Sequence, residues 1–193
     1  DPFFNIVLVE PEIPNNTGNI GRTCIGANTD LHLVGKLGFE ISDRKLKRAG
    51  LDYWVHLNWF HHKTFEDWLN IVPDKSRIHL FTTKTNKPIF KTELKKGDWL
   101  VFGKETKGLS PEILQMFPEQ HVTLPMYGDI RSLNLANAVA AGLYEFVLIR
   151  TQEFISNVPG YYIEKPLYSD MNDNVAMELE ITEQAFKAPL PSV

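Results

Sequence analysis

Asn16, Arg22, Glu105, Ser132 and Asn134 are the residues whose types and settings suit chemistry. The first two belong to Asn16-Thr17-Gly18-Asn19-Ile20-Gly21-Arg22, which follows the apolar run Ile6-Val7-Leu8-Val9 and the link Glu10-Pro11-Glu12-Ile13-Pro14. That order reads as a buried strand, a loop at its carboxyl end and a helix beginning near Asn16. In open α/β sheets such a loop is where ligands bind. Arg22, six residues on, is expected to return near Asn16 after nearly two helical turns and to hold a fixed positive charge beside the loop. A guanidinium next to a glycine-containing turn suits chemistry on an anion or a polarised oxygen. Gly18 and Gly21 miss the spacing of the dinucleotide fingerprint, and the chain has no Gly-Lys-Ser/Thr phosphate loop, so the segment alone fixes no ligand.

Two further segments have the same build. Leu100-Val101-Phe102 runs into a loop bracketed by Gly103 and Gly108 that carries Glu105, and Leu124-Pro125-Met126 runs through a polar loop to Arg131, Ser132, Leu133 and Asn134. All three segments put polar side chains and backbone amides at strand ends, so one pocket built from three loops is expected.

The elements that must hold these loops alternate along the chain. Strand-like runs recur at 5–9, 31–34, 55–60, 77–82, 99–103 and 121–124. Helices are expected from Asn16 to about Asn28, over 43–49, from Thr64 to Ile71 with a Thr64/Asp67 capping box, from Ser110 to Met116, and over 132–150. This pattern predicts an α/β fold with a mainly parallel sheet flanked by helices. A domain over 1–150 is expected, followed at 151–193 by an acidic extension of an arm and a short helix. That extension holds seven acids against two bases, a net −5, which leaves +1 for residues 1–150 although the whole chain is at −4. A near-neutral body with local basic clusters is compatible with nucleic acid, because phosphate contacts need only a local patch.

Composition narrows the classes further. A single cysteine excludes an intrachain disulfide framework. No apolar run approaches the roughly 18 residues of a membrane helix, and the start lacks a signal-peptide pattern, so a cytoplasmic location without membrane attachment is expected. His61, His62 and Glu66 lack a convincing set of further metal ligands, and no metal is expected. Cys24 and the tryptophans 54, 59, 68 and 99 read as core residues.

Taken together, Asn-x-Gly-Asn-x-x-Arg at 16–22, Phe-Gly-x-Glu-x-x-Gly-Leu at 102–109 and Pro-Met followed by Arg-Ser-Leu-Asn-Leu-Ala-Asn-Ala-Val at 125–139 resemble the SPOUT, or α/β knot, RNA methyltransferases. Over residues 4–150 the chain is most similar to the small ribose 2'-O-methyltransferases that act on the wobble nucleotide, cytidine or uridine, of leucine tRNAs. The resemblance implies a trefoil knot within about 80–150, an exception to the rule that connections do not thread. It implies S-adenosylmethionine as cofactor, touching Phe81, Thr82, Gly103, Glu105, Leu124, Met126, Ser132 and Leu133. By the same analogy Arg22 is the activating residue, with Asn16, Glu105, Ser132 and Asn134 around it. A homodimer and a tRNA substrate follow, with Arg44, Lys45, Lys47, Arg48 and Arg131 as RNA contacts. Methylation of another tRNA or rRNA site, a non-catalytic RNA-binding knot protein and a nucleotide-dependent enzyme on an ordinary doubly wound fold remain open at this point.

Overall fold

The apolar runs alternate faces. In the first strand, β1 (Asn5–Val9), Ile6 and Leu8 point to one side and Val7 and Val9 to the other, and all are buried. A strand apolar on both faces belongs in the middle of a sheet covered by helices on each side. The structure, a computed structural model, describes residues 2–41 and 54–157. They form a six-stranded parallel sheet that adds β2 (Asp30–Val34), β3 (Trp59–His62), β4 (Ile78–Phe81), β5 (Trp99–Phe102) and β6 (His121–Val122), in the order β3-β2-β1-β5-β4-β6. Leu31, Leu33, Leu100 and Phe102 share one face with Ile6 and Leu8, where α1 (Pro14–Gly26) and α4 (Leu135–Asn157) supply Ile20, Cys24, Val139, Leu143 and Phe146. The opposite face packs Val7, Val9, Ile78, Leu80 and Val101 against Trp68 of α2 (Phe65–Ile71) and Ile113 and Leu114 of α3 (Pro111–Met116).

The chain forms a first compact unit, Asp1–Val147, followed by Leu148–Val193. The helix expected over 43–49 and, from residue 158 on, the acidic extension lie outside the described residues. None of the described helices is long and apolar enough to cross a membrane.

Local chemistry sets the element ends. Thr64 and Asp67 exchange hydrogen bonds in the expected capping box. Several boundaries differ from expectation. The strand expected over 121–124 ends at Val122, and the last helix, expected to stop at 150, continues to Asn157 through the first residues expected to form the arm. Three other boundaries have local causes. The first helix opens at Pro14, because a proline fits the first helical position, where no amide partner is needed. The strand expected over 55–60 is displaced to Trp59–His62, and 54–56 form a 3-10 turn in which Trp54 packs on Gly21 of α1 before the chain joins β2. The last helix starts at Leu135 rather than 132, since Asn134 Oδ1 accepts from the amides of Ala136 at 2.9 Å and Asn137 at 3.3 Å and caps it there.

One polar group is set deep in this frame. Asp98, just before β5, is 1% exposed and accepts from Arg77 Nε at 2.7 Å, from Arg77 Nη2, and from the Lys95 amide at 2.8 Å, with His79 Nε2 at 2.9 Å. Burial pushes its carboxyl upward, but the bonds from His79, Arg77 and Lys95 outweigh burial and hold the group below the usual carboxylate range. The unfolded chain therefore takes up this proton first, and the stabilisation present at neutral pH is lost as pH falls below the ordinary carboxyl value. Asp98→Ala strands Arg77 without its counter-charge and His79 without its hydrogen-bond partner. It is expected to cost about 3 kcal/mol at pH 7, read as a lower urea midpoint, and to flatten the acid limb below about pH 4.

His32 carries the same sign in a different window. It lies among the rings of Phe60, His62 and Trp99, at centroid distances of 4.8, 5.3 and 4.9 Å. Burial first, and the neighbouring His62 second, push its pKa down from 6.5 to about 3. Across that interval the unfolded chain holds a proton that the folded chain refuses, so stability falls as pH falls from 6.5 towards 3. His32→Phe is expected to remove the part of the loss that lies between about pH 6.5 and 4 in urea melts.

Candidate active site

The carboxyl ends of β4, β5 and β6 open into a cleft of about 270 Å³. Its floor is apolar: Phe81 stacks on Phe102 with centroids 4.4 Å apart, and Leu124, Leu133, Leu135 and Ala138 surround them. Thr82, Gly103, Glu105, Met126 and Ser132 also line it, so every residue expected to touch a cofactor stands at this cleft. The turn after β5 closes tightly, with the Gly108 amide donating to the Lys104 carbonyl at 2.9 Å and Gly108 itself at φ +66°. A Cβ built on Gly103 would lie 2.0 Å from the Gly108 carbonyl carbon, so only glycine fits there.

The first motif does not line the cleft; it is fastened to it. Glu105 Oε2 accepts from the Glu12 amide at 2.7 Å, and Oε1 accepts from the Ile13 amide at 3.0 Å and from Asn16 Nδ2 at 3.2 Å. Asn16 Oδ1 in turn accepts from Asn134 Nδ2 at 3.1 Å. The clasp is reciprocal, because the Glu12 carboxylate accepts from the Thr106 amide at 3.0 Å and hydroxyl at 3.1 Å. Nearby, Lys104 reaches Glu10 at 2.9 Å, a bond that raises the lysine's pKa, and Glu10 itself sits in the left-handed region at φ +51°. Glu105 is thus not a free loop carboxylate: its oxygens carry three donors, from the Glu12 and Ile13 amides and the Asn16 side chain, while the residue also lines the cleft. Glu12 and Thr106 were not legible as site residues, because nothing in their spacing pairs positions 94 residues apart.

Arg22 is exposed on α1 and does not line the cleft. The expected return to Asn16 fails on helix geometry: six residues turn about 600°, which leaves Arg22 about 120° around the axis and about 9 Å along it. Arg131 lines the cleft mouth, as expected. Arg44, Lys45, Lys47 and Arg48 lie outside the described residues. Cys24 is buried, and burial pushes its thiol well above the ordinary range, which fits a core role. Among the described residues no cluster could hold a metal ion, and His61 and His62 hydrogen-bond to the Gly35 carbonyl and to His32.

The clasp makes a measurable prediction. Each charge-assisted bond to a carboxylate contributes about 1.5–3 kcal/mol. Glu105→Ala is expected to speed hydrogen exchange at the Glu12 and Ile13 amides by at least about tenfold. Glu105→Gln should do nearly the same, because its amide nitrogen presents a donor where the native oxygen accepts.

Comparison with known proteins places this geometry. The SpoU rRNA methylase family model matches residues 4–144. A tRNA (cytidine(34)-2'-O)-methyltransferase of Burkholderia pseudomallei is 45% identical over 145 residues, 74% of this chain and 93% of the relative. The protein of the same description from Acidovorax sp. is 46% identical and covers 74% of this chain and 90% of its own. A solved structure described as giving structural insights into the 2-OH methylation of C/U34 on tRNA superposes with a TM-score of 0.74 at 40% identity, covering 77% of this chain and 96% of the other. The SpoU methyltransferase AviRb of Streptomyces viridochromogenes, in complex with the cofactor AdoMet, gives a TM-score of 0.67 at 26% identity over 78% of this chain and 59% of that one. With a family match across most of its length and relatives this similar, the chain belongs to the SpoU rRNA methylase family.

Proposed function

We propose that this S-adenosylmethionine-dependent methyltransferase transfers a methyl group to the ribose 2'-hydroxyl of the wobble nucleotide, cytidine or uridine 34, of leucine tRNAs. The observation that carries the reading is the 45% identity spread over 93% of a tRNA (cytidine(34)-2'-O)-methyltransferase.

The cleft fits the cofactor chemically. An apolar slot between Leu124 and Leu133 suits an adenine, and the tight turn from Gly103 to Gly108 brings backbone groups to its wall with no intervening side chain at 103. Thr82, Met126 and Ser132 would complete the hold. When bound, S-adenosylmethionine supplies an electrophilic methyl on a sulfonium. The residues of the chain have two tasks: aligning the ribose hydroxyl with that methyl, and stabilising the negative charge that builds on the oxygen. Asn16 and Asn134, held against each other and against Glu105, fix the edge of the cleft. Arg22 is a guanidinium that stays protonated, so its task is to stabilise the forming alkoxide or to hold a neighbouring phosphate, while the hydroxyl proton leaves to solvent water.

Because Arg22 does not line the cleft of its own chain, a homodimer in which Arg22 of one protomer faces the partner's cleft completes the site. A trefoil knot belongs to the same reading. In its support, β6 pairs with β4 at the sheet edge, while the helix that follows packs Gly142 against Phe81 and Phe102 and Phe146 against Phe4, back over the central strands.

Incubation with labelled S-adenosylmethionine and unmodified tRNA, followed by mapping of the labelled nucleotide, tests the reading. Label on the ribose of nucleotide 34 is expected, and label elsewhere or on a base counts against it. Arg22→Ala should abolish transfer while cofactor affinity by calorimetry stays within about twofold, and mixing Arg22→Ala with Asn134→Ala protein should restore part of the activity through composite sites. Loss of cofactor binding in Arg22→Ala would reassign that residue.

A further inference from the structure

The mouth of the cleft carries three cations that form no ion pair among the described residues. Lys84, Lys107 and Arg131 line it, one on each of the loops that follow β4, β5 and β6, and all three are exposed. The carboxylates at this end are committed elsewhere: Glu10 to Lys104, Glu12 to Thr106, and Glu105 to the amides of Glu12 and Ile13 and to Asn16. Asp129 is the one exposed carboxylate on the loop that bears Arg131. Three uncommitted cations around a cleft that takes a cofactor of net positive charge are a poor arrangement for that cofactor alone. They are a good one for a polyanion lying across the mouth.

A second observation narrows the polyanion. Tyr127, next to the cleft-lining Met126, is 97% exposed and has no ring contact or hydrogen bond among the described residues. A tyrosine offers a flat apolar face that proteins ordinarily cover. Set beside cations, such a face suits an unpaired base, which stacks on an aromatic ring while the flanking phosphates meet lysine and arginine. A continuous duplex keeps its bases stacked on one another and has none to offer.

We propose that Lys84, Lys107 and Arg131, with Tyr127 beside them, form a docking rim for unpaired RNA, the cations holding phosphates and Tyr127 stacking on an exposed base. The rim rests on the reading of RNA as the substrate and adds Lys84, Lys107 and Tyr127 to the contacts expected from the sequence.

The test uses the full chain, an unmodified tRNA, a stem with a seven-nucleotide loop and a blunt duplex of equal length, with binding read by fluorescence anisotropy from low to moderate salt. Wild type should bind the looped RNA more tightly than the duplex. Lys84→Ala/Lys107→Ala should weaken binding about tenfold and make the plot of log affinity against log salt shallower by between about 1 and 2. Tyr127→Ala should weaken it about tenfold with the salt slope unchanged, and Tyr127→Phe should restore it. An unchanged slope in the lysine variant, equal binding of duplex and loop, or a Tyr127→Phe as weak as Tyr127→Ala would overturn the rim. So would a change of oligomeric state in Tyr127→Ala, which would give the ring to a second copy of the chain. Variants that match a wild type still methylating tRNA overturn the rim alone, whereas a wild type that neither binds nor methylates tRNA overturns the substrate reading beneath it.

Discussion

The carboxylate of Glu105 is the joint on which the working end of this molecule depends. In the order β3-β2-β1-β5-β4-β6 the connections leave β1 and β5 for opposite faces of the sheet, α1 on one and α3 on the other. Chains that diverge like this open a crevice at the strand ends and strip the backbone amides there of ladder partners. Glu105 supplies the missing acceptors for Glu12 and Ile13, and Glu12 returns the service to Thr106. Two loops about 93 residues apart in sequence thereby become one wall, and the Asn16–Asn134 bond adds the third loop to it.

A charged group fits this role better than a neutral one. A carboxylate accepts several bonds at once, each shorter and stronger than an amide–amide bond, and the half-buried Glu105 takes three. The same economy appears at the amino end of the sheet, where Asp98 gathers Arg77, His79 and the Lys95 amide. The parallel sheet is thus held by buried apolar strands in the middle and by a many-donor carboxylate at each end. The two carboxylates differ in surroundings: Asp98 is buried and structural, while Glu105 faces the cleft wall and fixes the shape a ligand meets.

Much of this was legible in the sequence, for identifiable reasons. Strands buried on both faces announce themselves as continuous apolar runs, and the Thr64/Asp67 capping box and the Ser110–Pro111 start are local signals that tertiary context had no reason to override. The cleft residues from Phe81 to Leu133 were reached through the resemblance, since apolar residues at strand ends are not distinctive by themselves. What stayed hidden was pairing. The Glu12–Thr106 and Arg77–Asp98 contacts join residues whose types are common and whose separation follows no period. Arg22 and Asn16 stand apart on α1 because six residues are not a whole number of helical turns, and a side chain's direction follows the remainder.

The turn at Gly103 carries an implication for how this protein can change over evolutionary time. The atoms that a side chain at 103 would strike belong to the backbone of Gly108 and Leu109, not to side chains that a second substitution could trim. Drift at that position therefore has no compensating partner and no neutral path. The walls around it, Leu124, Met126 and Leu133 among them, are side chains that can be exchanged in concert. Selectivity in descendants of this chain is thus free to evolve on the far wall of the cleft while the near wall stays fixed.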